Sequence, residues 1–212
     1  FASKYGVERV LDSYDDVIDD PEVEVVYNPL ANALHGPWNL AAIRAGKPVL
    51  SEKPFARNEF EAREIAGAAT AGGVTVLEGF HYLFHPLMTL TLELLDGDAI
   101  GAVGNVEVIM AMPEPGPDDP RWSYSLAGGA MMDLGCYALH VFRVLGRYCG
   151  GAPEIESARA VVRGDRIDES CATVVRYPNG ATGTQVSSMV AGEYVFTVRI
   201  DATEPGTRRN WR

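Results

Sequence analysis

The sequence has 212 residues, of which 47% are hydrophobic, and its 18 basic and 29 acidic side chains give a formal net charge of −11. This length suits one large or two small globular domains. The acidic balance argues against a nucleic-acid partner, because binding phosphates requires a basic face, and no apolar run approaches the length of a membrane span, so no membrane partner is expected either.

The first eighty residues alternate between strands and helices. Residues 1–5 are typical of the end of a helix that stops at Gly6, so we take the sequence to begin inside a longer chain. The predicted elements that follow are a helix over 14–19 capped by Ser13, strands over 23–27, 48–51 and 74–78, a helix over 35–45, and a helix that runs from the capping-box residue Asn58 to 71. This alternation predicts a parallel, doubly wound sheet.

The pattern then changes near residues 79–82. The predicted elements are helices over 86–95 and 130–145, a strand over 103–112, a proline-rich loop over 113–119, and strands over 155–162, 171–177, 181–189 and 194–200, with a tight turn at 178–180. These elements predict a helix-bearing, mainly antiparallel sheet. The fold class is therefore α/β, with an incomplete parallel sheet in residues 1–80 and an α+β domain in residues 81–212.

One candidate site follows the second predicted strand, in the run Val-Leu-Ser-Glu-Lys-Pro at 49–54. Glu52 and Lys53 lie where a parallel strand gives way to a loop, and this carboxyl edge is where open α/β sheets bind ligands. Pro54 restricts Lys53 to extended geometry, so the lysine is expected on the loop and not in the next helix.

A second candidate site is the predicted helix that follows Gly128 and Gly129. Asp133 and Tyr137 are four residues apart and share a helix face. A buried carboxylate can orient a phenol, and a tyrosine so placed can act as a general acid or base toward a hydroxyl or carbonyl. The alternative is that Tyr137 is a packing aromatic and that Asp133 is a buried acid with satisfied hydrogen bonds.

Two motifs carry a resemblance to a known family. The unit Ala-x-x-Ala-Gly-Lys-Pro-Val-Leu-x-Glu-Lys-Pro at 42–54 resembles the signature of the glucose-fructose oxidoreductase, inositol dehydrogenase and MocA-like oxidoreductases. The pattern Gly-Gly-x-x-x-Asp-x-Gly-x-Tyr at 128–137 is similar to the branch that holds dihydrodiol dehydrogenase, xylose dehydrogenase and glucose-fructose oxidoreductase. The resemblance implies a Rossmann domain that binds NAD or NADP, followed by a substrate domain.

The activity that the resemblance implies is hydride transfer between a nicotinamide and a hydroxyl or carbonyl carbon of a sugar, polyol or cyclic diol. In this reading Lys53 hydrogen-bonds the reacting oxygen, Tyr137 passes its proton, and Asp133 supports both. A lysine near a cationic nicotinamide should lose its proton more readily, which suits proton exchange at neutral pH.

The resemblance also implies which other residues line the site. The expected cofactor-binding residues are Pro29, Leu30, Asn32 and His35 in the loop after the first strand, together with Glu52 and Lys53. In relatives the crossing at 78–86 lines the substrate pocket, so His81 and Tyr82 are expected there. Trp122, in the loop before Gly128, and His140, which lies near the helix face of Asp133 and Tyr137, are expected in the pocket from their positions. Two alternatives remain open, namely that His35 is satisfied by local hydrogen bonds and that Trp122 serves only to pack its loop.

No metal site is expected. His81 and His85 are four residues apart but have no third ligand in view, whereas metal sites usually use three or more. Cys136, Cys149 and Cys171 are widely spaced and include no Cys-x-x-Cys pair, which indicates free thiols in a reducing, cytoplasmic compartment. Because relatives often dimerise through the open face of the second-domain sheet, a homo-oligomer is also expected.

The sequence departs from the family pattern in two respects. No two of its 22 glycines are separated by a single residue, so it contains no Gly-x-Gly-x-x-Gly fingerprint. The last twelve residues also differ from a family terminus, where further strands and a helix are expected. A rival hypothesis is therefore a non-catalytic family remnant that acts as a binding or self-association module, and a weaker one is a carbohydrate-binding module.

Overall fold

A three-stranded parallel sheet and a six-stranded mixed sheet organise the chain. The computed structural model describes residues 2–164, 166–202 and 208–211, the last four as backbone only. The chain divides between Gly79 and Phe80 into two compact units, each of which holds one of the sheets.

The first unit contains the parallel sheet. Its elements are α1 (Ala2–Tyr5), α2 (Tyr14–Asp19), β1 (Val26–Asn28), α3 (Asn32–Arg44), β2 (Val49–Ser51), α4 (Glu59–Gly72) and β3 (Val76–Glu78). The strands lie in the order β1-β2-β3, with Val49 opposite both Val26 and Val76. Leu40, Ile43 and Ile65 from the two long helices pack with Val49 in the buried core. The parallel sheet predicted from the sequence is confirmed.

Side-chain caps begin two of these helices at the predicted residues. Ser13 Oγ accepts a hydrogen bond from Asp16 N at 3.0 Å, and Asn58 Oδ1 accepts one from Glu61 N at 3.0 Å. The strand predicted over 23–27 is wrong at both ends, because only Val26–Asn28 face a partner strand. Helix α3 begins three residues earlier than predicted, at Asn32.

The second unit contains the mixed sheet. Its elements are a 3₁₀ helix (His81–Phe84), α5 (Pro86–Asp96), β4 (Val103–Ala111), two 3₁₀ helices (Pro120–Trp122 and Tyr124–Leu126), a π-helical turn (Met131–Gly135), α6 (Cys136–Leu145), a 3₁₀ helix (Gly146–Tyr148), β5 (Glu154–Arg163), β6 (Ile167–Arg176), β7 (Thr182–Ser188), β8 (Val195–Ala202) and β9 (Arg208–Trp211). The strand order is β5-β6-β7-β4-β8-β9. Neighbours are antiparallel except β4 and β7, so the sheet is mainly antiparallel, as predicted.

One face of the six-stranded sheet is covered by α6. Val141, Phe142 and Leu145 from this helix are at most 2% exposed and pack with Val106 and Val108 of β4. Strand β9 was not predicted, because the sequence from 201 onward lacks an alternating apolar pattern.

Candidate active site

Lys53 lies on a loop that is tied to the first unit at two points. The loop leaves the carboxyl end of β2 through a cis peptide bond between Lys53 and Pro54. Phe55 N donates a 2.7 Å hydrogen bond to Glu78 Oε1 at the end of β3, and Pro54 O lies 2.7 Å from His35 Nδ1. The backbone of Pro54 and Phe55, directly after Lys53, is therefore held by side chains from α3 and β3.

His35 joins the loops that follow β1 and β2. The side chain is 1% exposed, and its Nε2 lies 2.8 Å from Leu30 O while its Nδ1 faces Pro54 O. A neutral imidazole has one N–H and donates to one of these two carbonyls, depending on the tautomer. The contact with Leu30 O is local, as in the alternative of local hydrogen bonds, whereas Pro54 O lies 19 residues away in the sequence. A direct contact between His35 and a cofactor stays a prediction.

A buried network of hydrogen bonds lies where the loops after β1 and β2 begin. Asn28 Nδ2 donates to Asn39 Oδ1 at 2.8 Å and to His35 O at 3.3 Å, and Asn39 Nδ2 donates to Ser51 Oγ at 2.9 Å. Asn28, Asn39 and Ser51 are at most 3% exposed. Because buried polar groups are costly unless they are paired, the network fixes the carboxyl ends of β1 and β2 against α3.

The remaining residues predicted to bind the cofactor border these loops. Glu52 is partly buried and accepts a 2.8 Å hydrogen bond from the Tyr27 hydroxyl on β1. This hydrogen bond raises the pKa of Tyr27, with smaller contributions from burial and the Glu52 charge. Pro29 is exposed, whereas Leu30 and Asn32 are partly buried, and Asn32 is the first residue of α3.

In the second unit, two glycines open the helix that carries Asp133 and Tyr137. Gly129 has φ +112°, a conformation that favours glycine, and a Cβ there would lie 2.2 Å from Asp168 Oδ1. Asp168 Oδ2 instead accepts a 2.7 Å hydrogen bond from Met131 N, the first residue of the π-helical turn. The pKa of Asp168 is raised by burial, although its hydrogen bonds with backbone N–H groups oppose this.

The predicted continuous helix over 130–145 is wrong in its first turn. Residues Met131–Gly135 form a π-helical turn and α6 begins at Cys136, so the junction falls between Asp133 and Tyr137. Such wider turns are frequent at functional sites. Asp133 is 7% exposed, and its Oδ2 accepts a 2.8 Å hydrogen bond from Arg121 Nε.

Tyr137 lies in an aromatic cluster that includes three of the four predicted pocket residues. Its ring centroid is 5.4 Å from that of Phe80, 5.9 Å from that of His81 and 6.2 Å from that of Tyr82. Phe80 also stacks on His140, with 3.9 Å between the centroids. The predicted residues His81 and Tyr82 thus lie beside the proposed acid–base residue, and His140 joins the same cluster through Phe80 and Tyr82.

Burial sets the protonation of the Tyr82–His140 pair. Tyr82 Oη lies 2.7 Å from His140 Nδ1. Burial raises the pKa of Tyr82, with a smaller effect from Tyr137, while burial and the charge of Arg143 lower the pKa of His140. At neutral pH, therefore, the phenol donates to a neutral imidazole.

Trp122, the fourth predicted pocket residue, contacts its own loop and the helix start. It packs against Ala130, Leu134 and Met189, and its Nε1 donates to Pro115 O at 3.3 Å. These contacts match the alternative of loop packing, and a role for Trp122 in a substrate pocket stays a prediction.

The described side chains include no group of three or more His, Cys, Asp or Glu that could hold a metal ion. His85 acts as a helix cap, since its Nδ1 accepts a 3.1 Å hydrogen bond from Leu87 N at the start of α5. Within residues 2–164 and 166–202, no helix combines the length and the apolar character that crossing a membrane requires.

Comparison with known proteins identifies the family of both units. Residues 1–80 match the family model described as "Oxidoreductase family, NAD-binding Rossmann fold", and residues 90–206 match the "GFO/IDH/MocA C-terminal domain". The chain belongs to the GFO/IDH/MocA family. This finding confirms the resemblance and the fold class inferred from the two sequence motifs.

Several GFO/IDH/MocA proteins are similar over nearly the whole chain. D-xylose 1-dehydrogenase (NADP(+)) 2 of Haloferax volcanii is 33% identical over 96% of this chain, and trans-1,2-dihydrobenzene-1,2-diol dehydrogenase of Mus musculus is 32% identical over 98%. A levoglucosan dehydrogenase solved with NADH and levoglucosan is 26% identical, with a TM-score of 0.84 over 96% of this chain and 58% of that one. The chain spans 61% and 58% of the lengths of the two curated relatives.

The structure adds polar residues that the sequence motifs did not predict. Asn39 and Ser51 belong to the buried network in the first unit, and Arg121 and Asp168 support the helix start in the second. An asparagine between the apolar residues Trp38 and Leu40 was the one sequence signal for Asn39. The position of Arg121 beside Trp122, in the loop before Gly128, suggested a pocket wall or loop packing. Nothing local marks the pairing of Arg121 or Asp168 with partners that lie 12 and 37 residues away.

Proposed function

We propose that this chain carries the proton-transfer residues of an NAD(P)-dependent oxidoreductase that moves hydride between a nicotinamide and a hydroxyl or carbonyl carbon of a sugar, polyol or cyclic diol. The observation that carries the proposal is the anchoring of the Lys53 loop. Hydrogen bonds with His35 and Glu78 hold this backbone at the carboxyl edge of a parallel sheet, where ligands of such sheets bind.

The residues at this edge fit a nicotinamide nucleotide. The loops after β1 and β2 follow paired neighbouring strands, with Asn28 opposite Ser51. Glu52 offers carboxylate oxygens, which suit ribose hydroxyls, and Tyr27 holds one of them in place. Pro29, Leu30 and Asn32 would border the cofactor on the other loop. When bound, the nicotinamide supplies the hydride-transfer chemistry.

The chain's own residues would handle the proton. In the direction of reduction, Lys53 donates a hydrogen bond to the carbonyl oxygen, and Tyr137 gives its hydroxyl proton to that oxygen as the carbon is reduced. In the direction of oxidation, Tyr137 takes the proton back. Asp133 supports Tyr137 from the preceding turn. This division of labour is general acid–base catalysis by a positioned phenol.

Turnover by a lysine variant tests this proposal. The chain is assayed with NAD and NADP against a panel of sugars, polyols and cyclic diols, and Lys53→Met is expected to lower turnover by about 100-fold or more, the range for a lost proton-handling group. Lys4→Met, at an exposed position in α1, is the matched control. Turnover of Lys53→Met like that of the wild type would remove Lys53 from the mechanism.

Self-association through the six-stranded sheet is a second candidate function. The face of the sheet opposite α6 carries Val161 and Val186, which are 56% and 45% exposed, beside the small exposed side chain of Ala172. We propose that this face joins two copies of the chain. We expect light scattering to show a homo-oligomer for the wild type and a monomer for Val186→Glu. A monomeric wild type would refute this proposal.

We also propose a cytoplasmic location. The support is that Cys149 and Cys171 are buried free thiols in the described part of the chain, which is typical of a reducing compartment. Fractionation of cells that express the protein tests this proposal, and recovery outside the cytoplasm would contradict it.

A further inference from the structure

The carboxylate of Asp133 is paired with Arg121, a residue from the loop that precedes its helix. Arg121 Nε donates to Asp133 Oδ2 at 2.8 Å, and the Asp133 side chain is only 10% exposed while that of Arg121 is 42% exposed. An ionised carboxylate at such a position needs a countercharge or a hydrogen-bond donor, since burial alone disfavours the charge. The guanidinium supplies both.

The backbone of Arg121 is fixed to the same turn. Arg121 O accepts a 2.9 Å hydrogen bond from Gly129 N. A Cβ at Gly128 would lie 2.2 Å from Arg121 O, so the approach requires glycine at that position. Asp133 N in turn donates to Gly129 O at 2.9 Å. Main chain and side chain therefore both set the position of Asp133 relative to Arg121.

Asp119 holds the other side of the guanidinium. Arg121 Nη1 lies 3.2 Å from both carboxylate oxygens of Asp119, and Asp119 Oδ1 also accepts from Arg121 N at 2.9 Å. Partial burial lowers the pKa of Arg121, but hydrogen bonds and charges of Asp133 and Asp119 outweigh it and raise the pKa overall. The contacts with Asp119 therefore help to fix the orientation of the Arg121 guanidinium that binds Asp133.

We propose that Arg121 is a positioning residue for the reaction, which acts by holding Asp133 ionised and in one orientation so that Asp133 can support Tyr137. This inference rests on the proposed oxidoreductase function and deepens it. Arg121 itself need not touch substrate or cofactor. Its effect on turnover should therefore depend entirely on the presence of the Asp133 carboxylate.

A double-mutant cycle tests this dependence. Arg121→Gln is expected to lower kcat/KM about tenfold or more in the wild-type background, with most of the loss in kcat, since a bond to a charged group is lost. In the Asp133→Asn background the same change is expected to alter kcat/KM less than about twofold. Arg121→Lys should recover part of the loss, because it keeps the charge but not the planar fork.

Thermal unfolding separates this inference from the proposed function. Arg121→Gln should lower the Tm by about 4 °C in the wild-type background and by much less in Asp133→Asn. The control is Arg176→Gln, which breaks an exposed ion pair with Glu156 and should change neither turnover nor Tm appreciably.

Each outcome of these measurements is decisive. Equal losses of kcat/KM in both backgrounds, or no loss in either, would overturn the positioning role of Arg121. If the wild-type chain has no turnover at all, the proposed function fails, and the inference is judged by the Tm cycle alone. A Tm effect that is the same in both backgrounds would then overturn it.

Discussion

Replacing His35 with alanine should loosen the loop that carries Lys53. The imidazole contacts the carbonyl oxygens of Leu30 and Pro54 and is 1% exposed. A neutral imidazole donates to one of these carbonyls, so its removal leaves that acceptor without its donor, and an unsatisfied buried acceptor costs about 1–3 kcal/mol. The cavity left by the ring adds to this cost. We expect a loss of about 3 kcal/mol in the free energy of unfolding, measured by urea titration.

Two further variants make the His35 test specific. Leu34→Ala, at an exposed position on the same helix, should change the free energy of unfolding by about 0.5 kcal/mol or less. His35→Gln keeps an N–H donor and should lie between alanine and the wild type. If His35→Ala unfolds within about 0.5 kcal/mol of the wild type, the ring does not hold the two loops together and the reasoning is refuted.

Two other predictions concern the second unit. Gly129→Ala should lower the free energy of unfolding by about 3 kcal/mol, because it combines an unfavourable positive φ with loss of the Asp168 cap. Gly180→Ala, where φ is +88° and the space is open, should lower it by only about 1 kcal/mol. Equal losses for the two variants in thermal unfolding would contradict this account. The pKa of His140 is lowered by burial and by Arg143, so below about pH 6.5 the unfolded chain binds a proton that the folded chain does not. Stability should fall as the pH drops from 7 to 5, and His140→Gln should show a smaller fall in urea titrations at each pH.

Local signals in the sequence predicted the elements and the motifs. Ser13 and Asn58 begin their helices because an N-cap needs only a side chain and the next turn. The strand predicted over 48–51 correctly placed Lys53 at the carboxyl edge of the parallel sheet. An apolar run that ends in a charged pair and a proline is typical of a buried strand followed by a loop at that edge. These predictions depend on contacts between residues close in sequence.

Contacts between distant residues escaped prediction. The strand predicted over 23–27 is observed only over Val26–Asn28, because the length of β1 is set by its pairing with β2. The π-helical turn and the pairing of Asp133 with Arg121 depend on a loop that folds back onto Gly128 and Gly129. His35 was expected in the loop after the first strand, but it lies in the first turn of α3. Its burial and its two backbone contacts, which a sequence does not display, decide what its ring nitrogens face.

Direct binding of the cofactor is the most direct test of the central claim. We would titrate NADH and NADPH into the purified, folded chain and follow the nicotinamide fluorescence, with folding checked by circular dichroism in the same buffer. The account predicts saturable binding of at least one of them at micromolar concentration, weakened by Glu52→Ala. A folded chain that binds neither nucleotide would contradict the proposed oxidoreductase function of this chain and would favour the self-association module.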